Sequence, residues 1–290
     1  MQKVIYCRWS QSLGDLESTH QKVWGTKEYK WWRDRKKPTV FFGLYDLRDY
    51  LALSTHKQLG KPFVLWAGSD ILNLSNGFVF NNGKLKWLSV LMPNILGWWL
   101  RGMLRKAEHW VENEKEREAL TRCGVRVTGV CPSFLGDLTK FKVSYKHSPR
   151  PHVYLSSGQG RQLEYGWGII ERIAKKLPNI TFHLYGADWK TENDNVVVHG
   201  RVSKERMNRD IKNMQAGLRL NGFDGFSEIV AKGMLMGQYI ISEIGYPHAL
   251  VYETEKDLIR LLNGLKHKKK PNLNGRKWAM SNINKFPWVK

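Results

Sequence analysis

The segment 219–241 sets Gly222, Gly225 and Ser227 between a strand-like run and a helix-like run. Glycines at such positions let the backbone come close to a ligand. Ser227 stands where a helix N-cap is expected, and the unpaired N–H groups and positive dipole end of a helix start suit a phosphate. The same arrangement also serves an ordinary capped loop. A second candidate is Ser69-Asp70, which follows Gly68 at the end of an apolar run and offers a hydroxyl and a carboxylate. An Asp after Gly-Ser is equally suited to capping a helix. Cys7, Cys123 and Cys131 form no CxxC and no Cys/His cluster with zinc spacing, so neither a metal centre nor a disulfide framework is expected.

The elements that must position these residues alternate. Apolar runs at 4–8, 40–43, 62–67, 109–112 and 125–130 read as strands, with helices at 47–60, closed by a glycine cap, and at 114–123. Residues 135–150 have the composition of a linker, after which the alternation restarts. Strands are expected at 153–156, 181–185, 196–199, 216–220 and 239–242, and helices at 166–177, 203–214, 228–236 and 255–266. Strands alternating with helices of 10–15 residues signal an α/β fold with a parallel sheet, here two doubly wound halves. In such sheets ligands bind at the carboxyl ends of the strands.

In their order, these segments resemble a known family. The stretch DGFSEIVAKGMLMGQYII is similar to the donor-site segment of GT-B glycosyltransferases of the family-4 (group 1) retaining type. Asp224 falls on that pattern's acid, Gly225 and Phe226 on its Gly-Phe, and Gly237 on the glycine that ends its helix. The stretch 154–186 looks like the opening of that family's C-terminal domain. Residues 198–202, with the helix and strand that follow, match its next unit, and 66–70 is similar to the loop facing the reacting sugar.

The resemblance implies two Rossmann-like doubly wound domains facing a central cleft. Residues 1–145 would be the acceptor-side domain and 146–290 the nucleotide-sugar-binding domain, with the C-terminal tail packing back on the first and closure about the linker. It implies sugar transfer from a nucleotide-sugar to a lipid-linked or glycan acceptor, with retention and without a tightly bound metal or other cofactor. Arg161, the Gly158–Gly160 backbone beside Ser157, Arg201 and the N–H groups after Phe226 would stabilise the departing diphosphate. Asp224 would bind donor sugar hydroxyls, Gly14 would bring backbone to the donor, and Ser69 and Asp70 would touch the acceptor or the transferred sugar. Where the family carries a second Glu, eight positions after Asp224, this chain has Lys232. An ammonium cannot accept hydrogen bonds from a ribose. Lys232 either pairs with Glu228 on an exposed helix face or meets a donor phosphate, or else the nucleotide lies differently here.

A net charge of +21, from 47 Lys+Arg against 26 Asp+Glu, asks for an anionic partner. Residues 266–290 carry eight of these cations and no acid, and a second cluster, 27–37, is interleaved with Tyr29, Trp31 and Trp32. Indoles beside cations suit an anionic membrane surface, where each Lys or Arg contributes about 1 kcal/mol. They also suit nucleic acid, so a DNA-modifying glycosyltransferase, a non-catalytic nucleic-acid-binding protein and a scaffold are the alternatives. The apolar stretch 88–104 contains Pro93, Asn94 and Arg101 and is too short for a spanning helix, which leaves a core, groove or interfacial helix. The expected location is the cytoplasm, or the inner face of a membrane as a peripheral protein.

Overall fold

A computed structural model of the protein describes residues 5–13, 17–75 and 93–288. The chain forms two compact units. The first comprises Met1–Gly136, Phe223–Phe226 and Asn282–Lys290; the second comprises Asp137–Gly222 and Ser227–Ser281. The first long run thus ends at Gly136, ahead of the 145/146 boundary read from linker composition.

In the first unit, β1 (Tyr6–Trp9), β2 (Lys27–Glu28), β3 (Thr39–Phe42), β4 (Phe63–Leu65), β5 (Glu108–Val111) and β6 (Val127–Val130) form one sheet in the order β2-β1-β3-β4-β5-β6. Every neighbouring pair is parallel. β3, Thr-Val-Phe-Phe, is buried along its whole length, as expected of a strand covered on both faces. On one face Phe41, Val64 and Trp66 pack with Leu53, Leu100 and Leu120 from three helices, Leu47–Ser54, Pro93–Leu104 and Glu114–Arg122. On the other, Trp9, Trp24, Phe42 and Leu65 pack with Phe286 and Trp288 of the C-terminal segment.

The second unit repeats the plan. β7 (His152–Ser156), β8 (Thr181–Tyr185), β9 (Val196–Val198), β10 (Ala216–Arg219), β11 (Tyr239–Ser242) and β12 (Leu250–Val251) run parallel in the order β12-β11-β10-β7-β8-β9. Leu155, Phe182, Leu184 and Leu218 bury against Trp167, Ile170, Leu258 and Leu262 of two flanking helices, Trp167–Ala174 and Glu255–Gly264. At about 25 cal/mol per Å² over about 200 Å², burying a side chain the size of Trp167 contributes roughly 5 kcal/mol.

Several helices are shorter than their sequence periods suggest, each for a local reason. The helix expected over 47–60 stops at Ser54. There the Thr55 hydroxyl donates to Leu51 O (2.9 Å) and Trp31 Nε1 donates to that hydroxyl (2.7 Å), closing the last turn before any glycine is reached. The helix expected from 166 starts at Trp167, because Gly166 holds φ +83°, a left-handed conformation that cannot continue a helix. Of the apolar stretch 88–104, residues 88–92 lie outside the described residues and the rest is the helix Pro93–Leu104. Among the described residues no helix is long and apolar enough to cross a membrane. No disulfide joins Cys7, Cys123 and Cys131.

The C-terminal segment closes one face of the first sheet, so Trp288→Ala should lower the stability of that unit by about 3–5 kcal/mol. Trp288 is 5% exposed and stacks on Phe286 (5.0 Å between centroids). Urea unfolding followed by circular dichroism measures the loss.

Candidate functional site

In the second sheet the strand order reverses between β7 and β10, which lie side by side although two helices and two strands separate them in the chain. Their carboxyl ends open a crevice by topology alone, the place where doubly wound folds bind ligands. The loop leaving β7 is Ser157-Gly158-Gln159-Gly160-Arg161. Gly160 has φ +81°, and a Cβ at Gly158 or Gly160 would meet nothing, so the space above this loop is open. Ser157 is buried, its N–H donates to Tyr185 O (3.0 Å) and its hydroxyl to Gly158 O (2.9 Å). The loop is therefore anchored at its root and open at its tip.

Two guanidinium groups meet over one ring at this crevice. Arg161 Cζ lies 4.8 Å and Arg219 Cζ 4.0 Å from the centroid of Tyr165. Arg219 ends β10 and is buried at 9% exposure. Arg161 is half-exposed and its guanidinium pairs with Glu164 (2.5 Å); hydrogen bonding to Arg161 holds the Glu164 carboxyl below the usual carboxylate range, with Arg219 adding to the effect. Arg219 is the residue that sequence reasoning passed over here. Its signal was a lone cation closing the apolar run Ala-Gly-Leu. Arg201, by contrast, is exposed after β9 at the sheet edge, two strands from β7.

In the first unit a different cluster forms. Gly68, at φ +84°, is packed so closely on the 223–226 segment that a Cβ there would lie 2.8 Å from Gly225 N. Asn113, the N-cap of the helix Glu114–Arg122, accepts from Glu116 N (3.0 Å) and donates through Nδ2 to Asp224 O (2.8 Å). Phe226 N donates to Glu112 Oε2 (2.7 Å), while the Ser133 hydroxyl and N–H donate to Glu112 Oε1. Gly225 is required for this seat: a Cβ would overlap the Glu112 carboxylate. The close backbone approach expected at Gly225 is thus to an internal carboxylate, and the Phe226 N–H is spent on it.

Asp70, Ser69, Asp224, Gly225 and Phe226 are therefore brought together in the first unit, around two acids the sequence reading did not single out, Glu112 and Glu116. Asp70 is wholly buried and accepts from Leu44 N (3.0 Å), Ala67 N (3.1 Å) and Ile71 N (2.9 Å), so its oxygens brace the loop rather than face solvent. Ser69 is exposed and Asp224 half-buried. Ser227 caps the helix Glu228–Leu235 as expected, accepting from Ile229 N (3.3 Å). Gly14 lies outside the described residues.

Burial dominates the electrostatics of this cluster. It pushes Asp70 up to about 7 and Glu112 up to about 8, the latter despite hydrogen bonds from Ser133 and Phe226. Glu116 is also raised well above its ordinary range, by burial first and then by Glu112; its Oε2 accepts from Glu112 N (2.6 Å) and its Oε1 has no hydrogen-bond partner. Glu112 uses both oxygens as acceptors, which offsets part of the rise that burial imposes on it, whereas Glu116 has fewer donors to offset its own.

Lys232 forms the expected i,i+4 pair with Glu228 (2.9 Å), but not on an exposed face. Its side chain is 5% exposed, and every residue from Ile229 to Leu235 is buried. Glu228 takes a second ion pair from Lys204 (3.0 Å). Burial raises the Glu228 carboxyl, and the ammonium groups of Lys232 and Lys204 outweigh that and hold it below the usual range. The helix is enclosed because it packs on β10 and β11 with an apolar sequence on all sides, which periodicity around a lone Lys does not reveal. Among the described residues no group of three or more His, Cys, Asp or Glu is placed to hold a metal ion.

Two parallel six-stranded sheets, each flanked by helices, make this an α/β fold of the GT-B class. The sequence matches no family model and no curated protein. Solved structures share the fold at low identity, and they are GT-B glycosyltransferases. TarM aligns with a TM-score of 0.56 at 12% identity over 85% of this chain and 52% of its own. Sucrose-phosphate synthase from Thermosynechococcus elongatus aligns with a TM-score of 0.56 at 12% identity over 84% of this chain and 69% of its own. HepE from Anabaena, in complex with UDP and glucose, aligns with a TM-score of 0.53 at 13% identity over 98% of this chain and 96% of its own. The chain thus spans about half the length of TarM and nearly all of HepE.

Two outcomes follow from the buried acids and the buried lysine. Glu112 has a folded value of about 8 against an ordinary 4.5, and Glu116 is raised as well, so the native state binds more protons between those values. Stability should therefore fall as pH rises from 4.5 toward about 8, and Glu116→Gln, which supplies a neutral isostere, should flatten that slope in urea midpoints measured across pH. Lys232→Glu sets two carboxylates against each other with one buried. It should destabilise by about 3 kcal/mol, far more than the few tenths of an exposed helical pair, as read by thermal or urea unfolding.

Proposed function

We propose that this protein is a glycosyltransferase that takes a sugar from a uridine diphosphate sugar and passes it to a glycan or lipid-linked acceptor, with retention and without a tightly held metal. The observation that carries the reading is the pair Arg161 and Arg219 stacked on Tyr165 at the strand-order reversal of a doubly wound unit, beside an open glycine loop. The bond from the anomeric carbon to the diphosphate oxygen breaks as the acceptor oxygen bonds to that carbon, and the acceptor's hydroxyl proton passes to the departing diphosphate. Negative charge then develops on the leaving diphosphate. Preorganised cations and N–H groups aimed at that charge supply the largest share of rate enhancement in such sites.

In this reading Arg161 and Arg219 face the diphosphate, with the Ser157, Gly158 and Gly160 backbone, and Arg201 and the helix start at Ser227 add to the positive field. Asp224 binds donor sugar hydroxyls, and Ser69 the acceptor. Asp70, Glu112 and Glu116 act by position: they hold the loops that carry Ser69 and Asp224. HepE, whose crystal structure contains UDP and glucose, supports uridine as the first nucleotide to test.

A thermal-shift series of nucleoside diphosphates tests donor binding directly, since a ligand at a hundredfold excess over its Kd adds about 2.7 kcal/mol to native stability. UDP should give the largest shift. With the donor so found, Arg161→Ala and Asp224→Ala should each abolish turnover with an unchanged circular dichroism spectrum. Full turnover in either variant removes that residue from the mechanism.

A further inference from the structure

Because every strand of the first sheet is parallel to its neighbours, the segments that enter β3, β4, β5 and β6 all meet at one edge. That edge is the opposite of the one carrying Ser69 and Asp224. Each entering segment is basic. Arg33, Arg35, Lys36 and Lys37 precede β3, and Lys57 and Lys61 precede β4. Arg105 and Lys106 precede β5, and Arg122 and Arg126 precede β6. All are exposed except the half-buried Arg35. Among the described residues of these segments the acids are Asp34, buried and held by Arg33 (2.8 Å), and the half-buried Glu108 at the start of β5.

The segments are knitted into one surface. Lys57 N donates to Arg35 O (2.7 Å), and the side chain of Gln58 accepts from Thr39 N (2.8 Å) and donates to Lys61 O (2.8 Å). Beside them, Lys61, Arg101, Arg105 and Arg126, with Glu108 as the one carboxylate and His109 among the described lining residues, line a cavity of about 580 Å³ floored by Leu104 and Val125. That is room for a phosphate headgroup among four cations.

Three bare apolar side chains accompany this charge. Leu59 is 99% exposed at the turn into β4, next to Gly60 at φ +83°. Trp32 is 70% exposed, stacked on Trp31 and approached by Arg35 at 5.0 Å. Trp98 is 74% exposed, and Arg101 follows it at helical spacing i, i+3, so the two share one side of the helix that ends just before Arg105. A polyanion in water has no use for a fully exposed leucine. A bilayer does, because apolar tips enter the acyl boundary while indoles sit at headgroup depth and cations meet the phosphates.

We propose that the amino edge of the first sheet is the docking face of this protein on an anionic phospholipid bilayer, with Leu59, Trp32 and Trp98 inserted and the Lys61–Arg126 cavity taking a lipid phosphate. The proposal goes beyond sugar transfer and stands whether or not the donor reading holds, since its test involves no turnover.

The experiment is co-sedimentation of the full chain with vesicles of phosphatidylcholine alone or mixed with phosphatidylglycerol, beside binding to duplex DNA at matched salt. The protein should pellet with the mixed vesicles and not with the neutral ones. Leu59→Ser should lower vesicle partitioning roughly tenfold and leave duplex binding unchanged. Lys57→Glu combined with Lys61→Glu should lower partitioning by more than roughly tenfold. These side chains are exposed, so folding is preserved, and circular dichroism verifies it. Equal pelleting on both vesicle types overturns the proposal. So does a Leu59→Ser variant that pellets as the parent does; tight duplex binding would then make the edge a nucleic-acid face.

Discussion

Parallel pairing is the constraint on which the rest of this structure depends. Every strand in both sheets runs parallel to its neighbours, so each chain reversal must be a crossover, and loops sort by whether they leave a strand or enter one. Leaving loops carry Ser69, Asn113, Ser157–Arg161 and Leu220–Gly222; entering segments of the first sheet carry Lys61, Arg105 and Arg126. A single topological rule thereby separates chemistry that would otherwise conflict. Carboxyl groups gather at one edge of the first unit and a dense field of cations at the other.

Desolvation then decides how the carboxyl edge behaves. Glu112 stays buried because three donors, from Ser133 and Phe226, meet its oxygens, and each hydrogen bond to a charged group contributes about 1.5–3 kcal/mol. Glu116 lacks such a set, and burial, with Glu112 beside it, raises its carboxyl well above the usual range. Both acids are raised by burial, and they differ in the donors that meet their oxygens. The result is a rigid seat for residues 223–226, in which Gly225 is fixed by steric contact and Asp224 is left half-buried.

In the second unit the balance of forces is different. There the cations are the organised groups, held by π-stacking on Tyr165 and by pairing with Glu164, so their geometry is set within the unit itself. In the donor site proposed above, preorganisation of this kind would spare the reorganisation that flexible arginines need on meeting a phosphate. Lys232 is organised too, but inward, by Glu228, which makes it part of the packing of its helix.

The α/β alternation, the restart after residue 150, the strands Thr181–Tyr185 and Tyr239–Ser242 and the Ser227 cap were all legible in the sequence. They rest on local signals: apolar runs of strand length, glycine and proline punctuation, and a capping side chain within three residues of its partner. The edge strands Lys27–Glu28 and Leu250–Val251 were not legible, since two residues carry no period. Nor was the seat of Phe226, whose partner Glu112 is 114 residues away, or the meeting of Arg161 with Arg219 over Tyr165. Sequence patterning reports which faces of a local element are apolar. Which acid meets which N–H, and whether a lysine at helical spacing points to water or into the packing, depends on what the neighbouring elements remove from solvent, and that is decided only when the sheets and helices are assembled.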